Sequence, residues 1–141
     1  EKAYVMIQLM QGVVQYGTGA RLRGSRFKLT NQIAGKTGTT QQNADGWFIG
    51  LTPDLAAGAW VGGEDRSIHF NSIVEGQGAS MALPIWGKFF KKVYEDKKLK
   101  VTKGDFPRPK NLDPKFEIDC SKYDNEPIEG LSEEANPFDN L

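Results

Sequence analysis

The chain contains 141 residues, with 18 basic and 18 acidic side chains, 38% hydrophobic residues and 16 glycines. This length suits one domain or part of one, and the many glycines favour turns and close backbone contacts. The sequence holds no apolar run of the roughly 18 residues that a membrane-spanning helix needs, and the single cysteine, Cys120, excludes an internal disulfide.

The first predicted element is a helix over residues 3–14. Its apolar residues recur at helical spacing and form one stripe: Ala3, Met6, Ile7, Met10, Val13 and Val14. Gly17 and Gly19 are expected to end this helix, and the basic stretch at 21–29 is predicted to be a polar connection. A dinucleotide-binding loop at these glycines is not supported, because such a loop follows a strand and this one follows a helix.

Three predicted strands follow, at residues 33–40, 47–51 and 55–63. Turn signals at Asp45-Gly46 and Pro53-Asp54 separate them, so the strands should form an antiparallel meander. The middle strand is apolar on both faces, which is typical of a strand covered on both sides.

A second helix is predicted over residues 77–96, and Pro84 should start or kink it. Its apolar face is predicted to consist of Ala82, Ile85, Trp86, Phe89, Phe90 and Val93. Opposite these lie Lys88, Lys91 and Lys92.

The last part of the chain, residues 104–141, is predicted to be an irregular acidic tail. It carries a net charge of −6, against +6 for residues 1–103. Alternation of apolar and polar residues over 116–120 predicts an extended segment in which Phe116, Ile118 and Cys120 face protein.

The stretch Gly35-Lys36-Thr37 is open to two interpretations. A phosphate loop needs a glycine at position 30, where Thr30 stands, and must lead into a helix, whereas this segment leads into another strand. The other interpretation is the K-T-G strand of serine acyl-transfer enzymes, supplied by residues 36–38.

The chemistry of that strand suits acyl transfer. Lys36 places a positive charge at the start of the strand. This charge can attract the carboxylate of a substrate or perturb the pKa of a nearby hydroxyl. Thr37 and Thr39 point to the same side of a strand, and Gly38 lets a ligand lie close to the backbone. A backbone N–H just past the glycine is a suitable donor to an oxyanion.

Several longer motifs occur in order around this strand: G-T-G at 17–19, A-G-K-T-G-T-T at 34–40, D-G-W-F-I-G-L-T-P-D at 45–54 and A-L-P-I-W at 82–86. With them, the chain from about Ala3 to Val93 resembles the C-terminal part of the transpeptidase domain of class A penicillin-binding proteins. These bifunctional enzymes polymerise and cross-link peptidoglycan.

The resemblance implies an α+β fold for residues 1–103. In this partial penicillin-binding-protein or serine β-lactamase-like fold, N- and C-terminal helices pack on the three-stranded meander. In the family's sheet, the strand at 55–62 pairs with a strand that precedes this chain. Residues 104–141 show no motif of the family.

The resemblance also implies a serine-type D,D-transpeptidase that acts on peptidoglycan stem peptides and is acylated by β-lactams. Lys36, Gly38 and Thr39 would be catalytic, Thr37 and Thr39 would bind the substrate carboxylate, and the Thr39 N–H would complete the oxyanion hole. Neither a metal nor another cofactor is implied. The longer protein would work at the extracytoplasmic face of the bacterial inner membrane, attached through upstream parts, with this chain itself soluble.

Two departures from the family limit what this chain can do alone. The string Ser25-Arg-Phe-Lys28 lies too close to Lys36 and has no helical pattern, so we interpret it as coincidence, and no S-x-N string occurs. We therefore expect the isolated chain to be inactive. The alternative is a non-catalytic module that binds a peptide or partner, or self-associates, through the sheet edge at 55–62.

The remaining candidates have structural explanations. His69 has no second histidine as a metal partner and should lie in a loop. Trp47, Trp60 and Trp86 are predicted to fill the core. The basic connection lacks interleaved aromatic residues, so no nucleic-acid partner is expected.

Overall fold

The predicted strands form one antiparallel sheet in the order β1-β2-β3. A computed structural model describes residues 1–112. Its elements are α1 (Lys2–Gln15), β1 (Ala34–Thr39), β2 (Asp45–Leu51), β3 (Ala56–Gly62), α2 (Ile73–Gly76), α3 (Gly78–Met81) and α4 (Leu83–Glu95). The predicted α+β meander with helices packed on it is confirmed.

The sheet has two different faces within residues 1–112. Gly46, Phe48 and Gly50 of β2 are buried beneath the helices on what we call the helical face. Trp47 and Ile49 point the other way, to the open face, and are 43% and 48% exposed. The prediction that β2 is covered on both sides is therefore wrong for this part of the chain.

Trp86 is the centre of the core beneath the sheet. Its ring stacks on Phe90 with the ring centroids 3.9 Å apart and meets Phe48 edge-on at 5.3 Å. Its indole N–H donates to the carbonyl of Ala57 in β3 at 3.0 Å. Of the three tryptophans predicted to fill the core, only Trp86 does so here, because Trp47 and Trp60 lie on the open face.

The basic connection between α1 and β1 was predicted to be polar, but several of its side chains are buried in the structure. Leu22, Phe27 and Leu29 are buried in the core. Arg23 lies partly buried and donates to the carbonyls of Leu29 at 2.6 Å and Asn31 at 2.5 Å. Burial lowers the pKa of the Arg23 guanidinium. Arg23 thus pins the chain as it enters β1.

The turn between β1 and β2 lies earlier than predicted. It is a short 3-10 turn at Gln41–Asn43, in which Gln42 and Asn43 have φ of 59° and 57°. Asp45 and Gly46 are inside β2. Glycine at position 46 lets α3 pack closely, because a Cβ there would lie 3.1 Å from the backbone Cα of Gly78. The Asp-Gly pair reflects helix packing, not a turn.

The predicted C-terminal helix is divided into α3 and α4, with Pro84 in the first turn of α4. Leu83, Trp86, Gly87, Phe90 and Val93 are its buried residues. The predicted stripe was partly wrong, because Ile85 and Phe89 are 50% and 48% exposed. Within residues 1–112 every helix is too short or too polar to cross a bilayer.

After α4 the chain returns over the body without regular secondary structure. Thr102 donates its backbone N–H and its hydroxyl to Asp54, in the β2–β3 turn, at 2.7 and 2.6 Å. Phe106 is buried, and its N–H donates to Oε1 of Gln32 at 2.9 Å. The predicted extended segment at 116–120, with Cys120, lies outside the described residues.

The Asp54–Thr102 contact should be sensitive to acid. The hydrogen bonds from the Thr102 hydroxyl and N–H lower the pKa of Asp54 below its ordinary 3.8. The contact is therefore complete above about pH 4 and lost as the pH falls through the lowered value. In hydrogen exchange, we expect the protection factor of the Thr102 amide to fall in acid.

The Phe106 amide is the internal control, because its acceptor is the neutral Gln32 side chain. Its protection should change little over the same pH range. A Thr102 amide that is as protected below the pH at which NMR shows the Asp54 carboxylate to be protonated as it is at pH 6 would contradict the role given to Asp54.

Candidate active site

The candidate site is built on the edge of β1 that faces away from β2. Thr40 N donates to Asp45 O at 3.0 Å, across the β1–β2 ladder. Backbone groups of alternate residues in a strand face the same side, so Lys36 and Gly38 also bond to β2. The N–H and C=O groups of Thr37 and Thr39 therefore face the other edge. Within residues 1–112 this edge has no neighbouring strand, and we call it the free edge.

Lys36 and Gly38 are on the open face, opposite Ile49 and Trp47 of β2. The Lys36 ammonium is exposed and folds over the free edge, where Nζ donates to the Thr37 carbonyl at 2.7 Å. Among residues 1–112, a Cβ added at Gly38 would meet only Cβ of Trp47, at 3.3 Å. Space for a ligand is thus open above Gly38.

Thr37 and Thr39 point to the helical face, as their positions opposite Phe48 and Gly46 require. The prediction that both hydroxyls share one side of the strand is confirmed. Thr39 Oγ1 accepts a hydrogen bond from the N–H of Gly78, in α3, at 3.0 Å. Thr37 Oγ1 lies 2.9 Å from Oγ1 of Thr18.

Sequence reasoning missed both of these partners. Gly17 and Gly19 were interpreted as the end of α1 and as part of the G-T-G motif, but neither this motif nor the segment at Gly78 was predicted to contact β1. The two partners are 19 and 39 residues away from the threonines they contact, beyond the reach of a local pattern. The only available signal was the G-T-G string itself, which places a hydroxyl in a tight turn.

Gly78 makes the closest contact between a helix and the sheet in this region. A Cβ at this position would clash with the carbonyl oxygens of Gly38 and Trp47. Two residues on, Ser80 accepts from Arg21 Nη1 at 3.2 Å and donates to Val74 O at 2.7 Å. These contacts join α3 both to β1 and to the connection after α1.

Other sequence candidates lie apart from these contacts. Ser25 is exposed in a turn and Lys28 has φ of 54°, so the S-x-x-K string is not on a helix. His69 is exposed in a loop, where its Nδ1 lies 3.2 Å from the carbonyl of Phe70. Among residues 1–112, no group of three His, Cys, Asp or Glu side chains is placed to hold a metal ion.

The edge therefore combines a cation, two hydroxyls and an outward backbone N–H. Such a set can bind a carboxylate and stabilise an oxyanion. Within the described residues, the hydrogen bond of Lys36 Nζ goes to the Thr37 carbonyl and involves neither a serine nor a cysteine.

Comparison with the sequences of known proteins agrees with the resemblance described above. No protein-family model matches the chain. Penicillin-binding protein 1A of Neisseria cinerea is 35% identical over 105 residues, covering 72% of this chain and 12% of that protein. The protein of the same name from Clostridium tetani is 38% identical over 86 residues, covering 61% of this chain and 11% of that protein. The resemblance to penicillin-binding proteins is confirmed.

Comparison with a solved structure supports the fold as well. The chain matches the crystal structure of penicillin-binding protein 1A from Haemophilus influenzae with a TM-score of 0.59 and 24% identity. The match covers 80% of this chain and 16% of that one. The predicted partial transpeptidase-like α+β fold is confirmed. The chain spans only about a tenth of the length of the curated penicillin-binding proteins it matches.

Gly78→Ala should separate α3 from β1. The added methyl meets backbone oxygens that cannot rotate away, so we expect the free energy of unfolding to fall by about 1–3 kcal/mol. Gly12→Ala is the matched control, because a Cβ at Gly12 meets nothing within 4 Å in the described part of the chain. In the helix it should stabilise the chain by up to about 1 kcal/mol. Urea unfolding measures both, and a Gly78→Ala chain of unchanged stability would contradict this contact.

Proposed function

We propose that the chain supplies one wall of the active site of a peptidoglycan D,D-transpeptidase that is longer than this sequence. The observation that carries the proposal is the free edge of β1. There, Lys36, the outward N–H of Thr39 and the hydroxyls of Thr37 and Thr39 surround one short stretch of backbone. The similarity to penicillin-binding protein 1A supports this assignment.

The proposed reaction begins with a serine outside this chain. Its oxygen attacks the carbonyl carbon of the penultimate D-alanine of a stem peptide, and the bond to the terminal D-alanine breaks. An amine from a second stem then attacks the resulting ester and releases the serine. A β-lactam acylates the same serine and blocks this second step.

Each residue of the wall has a defined role in that scheme. Lys36 places positive charge beside the nucleophile and favours loss of the serine proton. The Thr39 N–H donates to the oxyanion of the tetrahedral intermediate. The hydroxyls of Thr37 and Thr39 hold the terminal carboxylate, and Gly38 keeps the space above the strand open for the substrate backbone.

Stem peptides and β-lactams are thus the proposed partners. They are reached at the extracytoplasmic face of the bacterial inner membrane, to which the longer protein is attached through other parts.

Lys36→Ala in the longer protein should slow acylation by penicillin at least about a hundredfold, because no other cation replaces it on the strand. Folding should be unaffected, since Lys36 is exposed and, within residues 1–112, its ammonium bonds only to the neighbouring Thr37 carbonyl. Lys88→Ala, which removes an exposed cation from α4, is the control and should acylate at the parental rate. Fluorescent penicillin labelling and melting curves measure the two effects. If the Lys36→Ala variant is labelled as fast as the unsubstituted protein, the role proposed for Lys36 is contradicted.

A second function, binding through a sheet edge, is favoured by β3. This strand also lacks a neighbour on its outer side within residues 1–112. Its outward groups could recruit another strand when the chain is isolated.

We expect the isolated 141-residue chain to associate through β3 in sedimentation velocity. The N–H of Gly58 faces outward, because the alternate residue Ala59, opposite Phe48, bonds to β2. Gly58→Pro should therefore abolish association without removing a bond to β2, whereas Gly58→Ala should not. If the unsubstituted 141-residue chain is strictly monomeric, the edge-binding function is contradicted.

A further inference from the structure

The turn after α1 places Thr18 in contact with the candidate site, and neither the motifs nor the similarity to other proteins assigns it a role. Thr18 Oγ1 lies 2.9 Å from Thr37 Oγ1. Both residues are accessible to solvent: Thr18 is exposed and Thr37 is partly buried. The contact is therefore a feature of the site's surface and not part of the buried core.

The backbone around Thr18 holds this hydroxyl in place. The N–H of Gly17 donates to Gly12 O at 3.2 Å, and the N–H of Gly19 donates to Val13 O at 2.9 Å. A Cβ at Gly17 would lie 3.0 Å from the carbonyl oxygen of Val13, and one at Gly19 would lie 3.1 Å from it. The two glycines let the turn close tightly against the end of α1, and Thr18 projects from it towards β1.

The direction of the hydrogen bond decides what Thr37 can do. A hydroxyl has one proton to donate and lone pairs that accept. If Thr37 donates to Thr18, it has no proton left for a substrate carboxylate, which accepts only. If Thr18 donates to Thr37, the Thr37 proton is available to the carboxylate.

Thr39 shows the same arrangement with a backbone donor. The N–H of Gly78 can only donate, so Thr39 Oγ1 is the acceptor and its own proton is available for another group. Thr37 and Thr39 are alternate residues of one strand, about 7 Å apart between Cα atoms. Thr39 therefore has a protein donor behind it and an unused proton in front, and Thr18 is placed to be the corresponding donor behind Thr37.

We propose that Thr18 is a positioning residue for the substrate carboxylate: it donates to Thr37 Oγ1 and directs the Thr37 proton at the carboxylate. This inference rests on the proposed transpeptidase function. The carboxylate selects this direction of the Thr18–Thr37 bond, because the opposite direction would place two acceptors against each other. Thr18 itself does not touch the reacting carbonyl.

The test compares two β-lactams in the longer protein. Thr18→Val and Thr18→Ala remove the hydroxyl, and Thr18→Ser keeps it. Losing one hydrogen bond of this kind should slow acylation by benzylpenicillin about five- to tenfold. Thr18→Ser should stay within about twofold of the parent. The methyl ester of benzylpenicillin, which lacks the carboxylate, should react with all four proteins at similar rates.

A double variant supplies the second measurement. In a Thr37→Val background, Thr18→Val should cause no further loss, because the hydroxyl that it orients is gone. Equal slowing of benzylpenicillin and its ester, or no slowing of either, would overturn the positioning role while leaving the transpeptidase proposal intact. A parental protein that neither compound acylates would overturn both.

Discussion

The contact between the Gly78 backbone and the sheet is the constraint on which the candidate site depends. It exists only because position 78 has no side chain, and it is reinforced by the absence of one at Gly46 beneath it. Since α3 can then lie directly on β1 and β2, a backbone N–H reaches the Thr39 hydroxyl. A larger residue at either glycine would move the helix away and leave that hydroxyl without its partner.

Strand β1 separates two kinds of chemistry on its two faces. Its helical face carries two hydroxyls: Thr39 accepts a hydrogen bond from the Gly78 N–H, and Thr37 lies within hydrogen-bond distance of the Thr18 hydroxyl. Its open face carries the Lys36 ammonium and the bare Gly38. The free edge between the faces is where both meet, so a ligand lying along this edge is exposed to positive charge from one side and to hydroxyl protons from the other.

The strands, their order and the K-T-G edge could be predicted because their signals are local: alternation, short turns and a tripeptide. The errors came from contacts between distant parts. Asp45-Gly46 suggested a turn, but Gly46 lies inside β2, where the backbone of Gly78 in α3 packs closely on it. Trp47 and Trp60 suggested a core, but hydrophobicity alone does not tell which face is covered. Thr18 was missed because its partner lies in another element.

The meander has a further consequence for how the chain loses conformational freedom. Each strand pairs with its neighbour in the sequence, and α1 packs on β1, the strand that follows it. The loops between the strands, residues 40–44 and 52–55, are short, so closing them costs little entropy, and contacts of this kind are associated with rapid folding. The sheet that carries Lys36 thus forms by pairing of strands that are neighbours in the sequence.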